Sequence, residues 1–233
     1  MQSVFNPKYM FMQKNCFIAM VCMVALSACT KEVKLRPESA TLYAGDSIQV
    51  TVENAGATPK LVSENTFVAS VSETGWLKAR HVGETTVRCD YNTHTAENIA
   101  RCNVTVQPKY TYYTEPIIDW TTTKDQLIEK LGEPSIDQDE MLIFGDVSKD
   151  DFVYMYVLSD DYIVQSYIVH KTLTLTKAKE FLNERYAPLE EDDTTYIDAD
   201  DEENAKMYVH AEQGNMNPLG NVVLVIYTAA TEY

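Results

Sequence analysis

The 233-residue chain carries 35 acidic against 19 basic side chains, a formal charge of −16. Such a surface repels nucleic acid and anionic lipid headgroups, because neutralising a phosphate backbone needs clustered Lys and Arg, so a nucleic-acid partner is excluded. Fifteen tyrosines among many Thr and Val predict sheet-rich structure, and the length suggests two small domains.

The first predicted segment is a secretory signal. Lys8 and Lys14 precede an apolar run from Cys16 to Leu26, small residues follow, and no acidic residue comes before Glu32. That run is too short for a spanning helix, which needs roughly 20 residues. Leu26-Ser27-Ala28-Cys29 resembles the lipobox read by signal peptidase II. The resemblance implies cleavage after residue 28, acylation of Cys29, and a lipidated tether over residues 29–32. Acyl chains hold firmly, since each buried methylene contributes about 0.8 kcal/mol. Thr30 is not the aspartate that retains such proteins at the inner membrane, which points to the outer membrane, with the periplasmic and external faces both open. Losing Lys8 and Lys14 leaves 17 basic side chains against 35 acidic ones, a formal charge of about −18.

From Val33 the text alternates, with Leu42, Ile48, Val50 and Val52 separated by polar partners. Gly45-Asp46, Asn54-Ala55-Gly56 and Glu73-Thr74-Gly75 supply turns. Short strands at regular spacing predict an all-β sandwich over residues 33–107. Gly75 and Gly83 are expected to adopt backbone angles costly for any residue with a Cβ. Val68, Val71 and Leu77 are candidates for the inner face. The phrases Leu42-Tyr43-Ala44-Gly45-Asp46, Ser63-Glu64-Asn65, Val68-Ala69-Ser70-Val71-Ser72, Gly75-Trp76-Leu77-Lys78-Ala79 and Val82-Gly83-Glu84-Thr85-Thr86-Val87 resemble the bacterial immunoglobulin-like domain of group 2. The resemblance implies a spacer or binding module without an active site. A tryptophan is missing where Lys60-Leu61-Val62 stands, so Leu61 or Val62 is expected to fill that part of the core.

Cys89 and Cys102 lie in two strand-like runs of this domain, in what the signal implies is an oxidising compartment. A disulfide across the hairpin is the preferred expectation, and two buried thiols are the alternative.

Residues 108–116, bracketed by Pro108 and Pro116 and lacking any period, read as a linker. Its tyrosines, Tyr110, Tyr112 and Tyr113, either form a sticky surface or pack against a domain edge. The remainder, 117–233, reads as an α+β domain. Thr123 caps a helix with Leu127, Ile128 and Leu131 on one face, and Gly132 stops it. Runs 141–144, 152–158 and 162–169 are strand-like. A second capped helix spans 174–186, followed by strand-like runs 194–197, 206–211 and 222–227. This α-β-β-β order, met twice, predicts two repeats on one antiparallel sheet. The order, with Leu131-Gly132-Glu133-Pro134, resembles β-lactamase-inhibitor-like folds, which include secreted inhibitors and outer-membrane-assembly lipoproteins.

Chemistry is sparse. His81, His94, His170 and His210 are scattered, without the spacing of a helical zinc site. The densest feature is Glu190–Asp193 with Asp198-Ala199-Asp200-Asp201-Glu202-Glu203. Asp198, Asp200, Asp201 and Glu202 are candidates for a cation, Ca2+ by their oxygen chemistry, or for contact with a partner. The alternative is a solvated turn. No catalytic residues and no other cofactor are expected. The function expected is that of a non-enzymatic, lipid-anchored envelope protein whose first domain presents the second to a protein or glycan. The alternative is an inhibitor or assembly factor.

Overall fold

A computed structural model describes residues 32–55, 59–90, 100–189, 192–217 and 219–230. The signal at 1–28 and Cys29 lie outside them, as does His94. Among the described residues no helix is long and apolar enough to cross a membrane. The chain is β-rich and builds several sheets.

The first half is sandwich-like. Strands β1 (Lys34–Arg36) and β4 (Thr51–Glu53) pair antiparallel. A four-stranded sheet runs in the order β2 (Ser39–Tyr43), β9 (Arg101–Gln107), β8 (Gly83–Asp90), β5 (Lys60–Ser63), with β2 parallel to β9. A three-stranded sheet runs β3 (Ser47–Gln49), β7 (Trp76–Ala79), β6 (Ala69–Val71). Strand alternation sends Leu42, Leu77, Val87, Val104 and Val106 into one shared core, so both sheets bury a single face against each other. Val68 and Leu77 are buried there, while Val71 and Leu61 pack on its margin. Of Leu61 and Val62, Leu61 is the one that packs against this core. Gly75 has φ +85°, and a Cβ there would collide with the Val50 carbonyl oxygen, so only glycine fits the turn.

The expected disulfide is corrected: Cys89 and Cys102 are both buried, as thiols. The register explains it. Cys102 stands opposite Val87, and Cys89 stands opposite Ala100, its N–H bonding that residue's carbonyl at 3.0 Å. The two cysteines are thus diagonal neighbours, roughly 7–8 Å apart at Cα in an ordinary ladder. A disulfide wants about 4.4–6.8 Å. Burial pushes the Cys102 thiol pKa up.

The second half is one antiparallel sheet of eight strands. Helix α1 (Lys124–Leu131) is followed by β10 (Ile136–Gln138), β11 (Met141–Phe144), β12 (Phe152–Ser159) and β13 (Tyr162–His170). Helix α2 (Leu175–Asn183) is followed by β14 (Ala187–Leu189), β15 (Asp192–Ile197), β16 (Met207–Met216) and β17 (Gly220–Ala229). The spatial order is β10-β11-β12-β13-β17-β16-β15-β14, so two meanders meet where β13 pairs with β17. Each helix precedes four strands where the sequence pattern gives three. The extra strands, β10 and β14, are three-residue edges whose Asp137-Gln138 and Pro188 hide any alternation.

Thr123 caps α1 as expected. Its hydroxyl accepts from the Gln126 N–H while the Gln126 side chain accepts from the Thr123 N–H, and Gly132 follows at φ +83°. Both helices cover the same sheet face. Leu127 of α1 packs with Leu142, Phe144 and Tyr156, and Phe181 and Leu182 of α2 pack with Ile168, Val225 and Tyr227. The segment at 108–116 joins this packing, for Tyr113 is 6% exposed within the α2 core and Tyr110 and Tyr112 lie against it.

Candidate functional site

The face of the large sheet opposite the helices is built by the other half of each strand's alternation. Its register places a continuous row across seven strands: Ile136, Ile143, Met155, Tyr167, Ile226, His210 and Thr195 are successive ladder partners. A parallel row runs Val153, Val169, Leu224, Glu212. Ile143, Val153, Val169 and Val222 form a small buried cluster, with Met155, Met216 and Leu224 half-buried over it. Val147 of the β11–β12 loop and Leu219 of the β16–β17 hairpin shelter one end.

The other end is open. The β12–β13 register shifts beside Val157 and Leu158, so that Ile163 enters the α1 core while its neighbours Tyr162 and Val164 are 49% and 38% exposed. Beside them turn the acidic hairpins Asp139-Glu140 and Asp160-Asp161, in which Asp139, Asp160 and Asp161 hold positive φ. The face thus grades from Ile and Met on the β10 side to polar groups on the β15 side. Along that polar side the Thr195 hydroxyl meets His210 Nδ1 at 2.9 Å, and His210 Nε2 lies 3.9 Å from the Glu212 carboxylate. Partial burial, then the Glu212 charge, raises the Tyr167 hydroxyl pKa, and that hydroxyl donates to Gln165 at 2.6 Å. A flat apolar and aromatic surface edged by carboxylates is suited to covering by another macromolecule. Its methionines adapt to the contour of whatever covers them.

The acidic loop turns its carboxylates to separate tasks. Asp198 Oδ1 accepts the Lys206 and Met207 N–H groups at 2.8 and 3.1 Å, closing the loop at the foot of β16. Asp201 caps the 3-10 turn Glu202–Asn204. Glu202 accepts the Tyr208 hydroxyl at 3.0 Å. Asp200 pairs with Arg80 of the sandwich and accepts the Thr66 hydroxyl at 2.8 Å. The carboxylates diverge, and among the described residues no group of three or more His, Cys, Asp or Glu side chains gathers as a metal set. Asp200 does make a contact, but with the other half of its own chain.

The histidines stay apart. His81 stacks on Phe67 with ring centroids 4.1 Å apart, and His170 Nδ1 accepts the Thr172 and Leu173 N–H groups. Burial lowers the pKa of both. Which residues share the helix-free face is not legible in the sequence, because its polar and apolar residues alternate on long strands whose register no single run reveals. The Met155 and Tyr167 period of β12 and β13 was the available signal.

No protein-family model matches the chain. No curated protein matches it either.

Proposed function

We propose that the chain is a non-catalytic, lipid-anchored envelope protein whose sandwich half carries a sheet half that binds a protein partner through its helix-free face. The row from Ile143 through Met155 and Tyr167 to Ile226 is the observation that carries this reading. Anchoring at Cys29 in the outer membrane rests on the lipobox resemblance, and the reading of the sandwich as an immunoglobulin-like domain of group 2 rests on the glycine-turn phrases. The partner is a protein with basic groups around an apolar centre. The open end of the face offers Tyr162 and Val164 beside Asp160 and Asp161, and complementary charge steers and orients such encounters.

A second reading draws on the arrangement of two helix-led meanders in one sheet. It is the order that prompted the likeness to β-lactamase-inhibitor-like folds. In that reading the partner is an enzyme to be inhibited or an outer-membrane protein to be assembled.

A photo-crosslinking residue at Met155, compared with one at Thr176 on the exposed side of α2, tests the face in intact cells. The expected result is a crosslink to one protein from position 155 and none from 176. Equal capture from both positions, or retention on a glycan resin that survives Met155→Lys, overturns it. Cys29→Ser is expected to abolish palmitate incorporation, and continued labelling would sink the anchor.

A further inference from the structure

We infer that residues 109–118 are a strap that locks the sandwich and the large sheet into one rigid unit, with Glu184 as its fastening. The default for two domains joined by a single crossing is relative motion. Three independent attachments oppose it here.

The first is Glu184 itself. It follows the last residue of α2, where helices commonly end in a glycine or an exposed polar residue, yet its side chain is only 5% exposed. A carboxylate at such depth is costly unless donors surround it. Its Oε2 accepts the Lys109 N–H at 2.9 Å, and its Oε1 accepts the Tyr110 N–H at 3.0 Å and Arg185 Nη1 at 2.6 Å. The two strap amides, which have no ladder partner, are thereby satisfied by a side chain. Arg185 closes the circuit, lying 3.5 Å over the Phe181 ring and donating through Nη2 to the Tyr110 carbonyl at 3.1 Å. The main chain of Glu184 adds a bond to the sandwich: its carbonyl accepts the Val82 N–H at 2.7 Å. One residue therefore holds the strap with its carboxylate and the β7–β8 loop with its backbone.

The second attachment is the strap's own path over the helix-covered face of the sheet. Tyr113 packs against Phe181 with the rings tilted by 31° and their centroids 4.0 Å apart, and Glu115 accepts the Tyr186 hydroxyl at 2.7 Å. Further on, the Ile117 N–H donates to the Tyr156 hydroxyl at 3.0 Å, and its carbonyl accepts from Ser166 at 2.7 Å. Both meanders of the sheet thus grip the same ten-residue segment, which lies outside any helix or strand.

The third attachment is the ion pair of Arg80 with Asp200, reinforced by the Thr66 hydroxyl, which joins the sandwich to the acidic loop. A hinge needs one line about which to turn. A strap threaded through the second core, a backbone bond at residues 82 and 184, and a separate ion pair at residues 80 and 200 leave no such line. The sandwich is therefore a fixed-angle arm, not a flexible spacer, and this holds whether or not the helix-free face binds a partner.

Residual dipolar couplings measured on the intact chain test the inference. The expected result is that amide couplings from residues 34–107 and from 124–229 fit one alignment tensor. Glu184→Ala is expected to split the fit into two tensors while amides in each half stay dispersed, with Glu184→Gln restoring the common tensor in part. Asp200→Asn is the gentler variant, since its site is exposed, and is expected to loosen the fit without unfolding either half. Two unequal tensors in the unaltered chain overturn the inference. So does a single tensor that persists through Glu184→Ala with both halves folded. If Glu184→Ala does not fold, the unaltered chain and Asp200→Asn decide: one tensor in the first and a loosened fit in the second support the lock, and any other pairing overturns it.

Discussion

The two halves of the large sheet follow the same order, yet they are held differently. Helix α1 buries only Leu127 and is secured at its ends, by the Thr123–Gln126 capping box and by Gly132. Helix α2 lacks the reciprocal box, ends on a glutamate, and buries Ala178, Phe181 and Leu182. Among the described residues, fourteen buried ones make up the core around α2 against six around α1, and Tyr113 from the strap belongs to the larger set. Local caps and tertiary packing are alternative ways of holding a short helix, since a helix of eight or nine residues is marginal alone. Glu184, bound to the strap, stands where α1 has its glycine stop.

The largest effect expected from this difference is a gap between two core truncations. Phe181→Ala removes a ring that touches both Tyr113 and Arg185, and is expected to cost about 4–5 kcal/mol of unfolding free energy. Leu127→Ala, in the smaller core, is expected to cost about 2–3 kcal/mol. Urea denaturation followed by circular dichroism compares them. Equal costs would mean that the strap adds nothing to the α2 side.

Acid sharpens a second contrast, between sandwich and sheet. His81 and His170 are both held below their ordinary pKa of 6.5, first by burial. The unfolded chain therefore takes up protons before the folded one as pH falls below 6.5, so stability is full above that value and declines beneath it. Asp151, beside His170, offsets part of its burial, as Asp200 does for His81 against the opposing charge of Arg80. Denaturation midpoints at pH 7.5 and below 6 measure the decline, and His170→Asn is expected to remove the share that belongs to the sheet. A midpoint that rises on acidification would contradict the neutral, buried state of both rings.

How far the sequence reached follows the same division between local and tertiary support. The α1 caps were legible because a Thr, a Gln three residues on and a terminal Gly are local chemistry. The sandwich face was legible through Val68 and Leu77, which alternate in short strands bounded by glycine turns. The strap was not, for its tyrosines have no period and its amides find partners some seventy residues away. Glu184 falls inside the helix that the sequence predicts over 174–186, whereas the helix ends at Asn183, and nothing within a turn of Glu184 announces Val82 or Lys109. The cysteines marked a real hairpin, but a disulfide depends on register, and adjacent text does not fix which residue faces which. The acidic loop looked like one site because its carboxylates are close in sequence, while the folded loop points them to different donors.

That last point yields a smaller, graded prediction. Asp198→Ala unbinds two backbone N–H groups and is expected to cost about 1–2 kcal/mol. Glu203→Ala, an exposed neighbour, is expected to stay within about 0.5 kcal/mol of the unaltered chain. Thermal unfolding with and without calcium reads both. A calcium-dependent rise in midpoint that Asp198→Ala abolishes would return the loop to cation binding.

The smallest effect returns to the α1 side and has the opposite sign. Thr122 is 1% exposed, and its hydroxyl makes no hydrogen bond to any described residue, although its N–H bonds Asp119 and its carbonyl accepts Ile163 N–H. A buried hydroxyl without a partner costs free energy that a methyl of similar volume does not. Val keeps the β-branch that suits this extended residue before the cap. Thr122→Val is therefore expected to stabilise by about 1 kcal/mol, within reach of replicate urea midpoints. A loss of similar size would show the hydroxyl bonded to water inside the α1 core. The smaller core would then be a wet one, and the contrast with α2 would concern solvent as well as size.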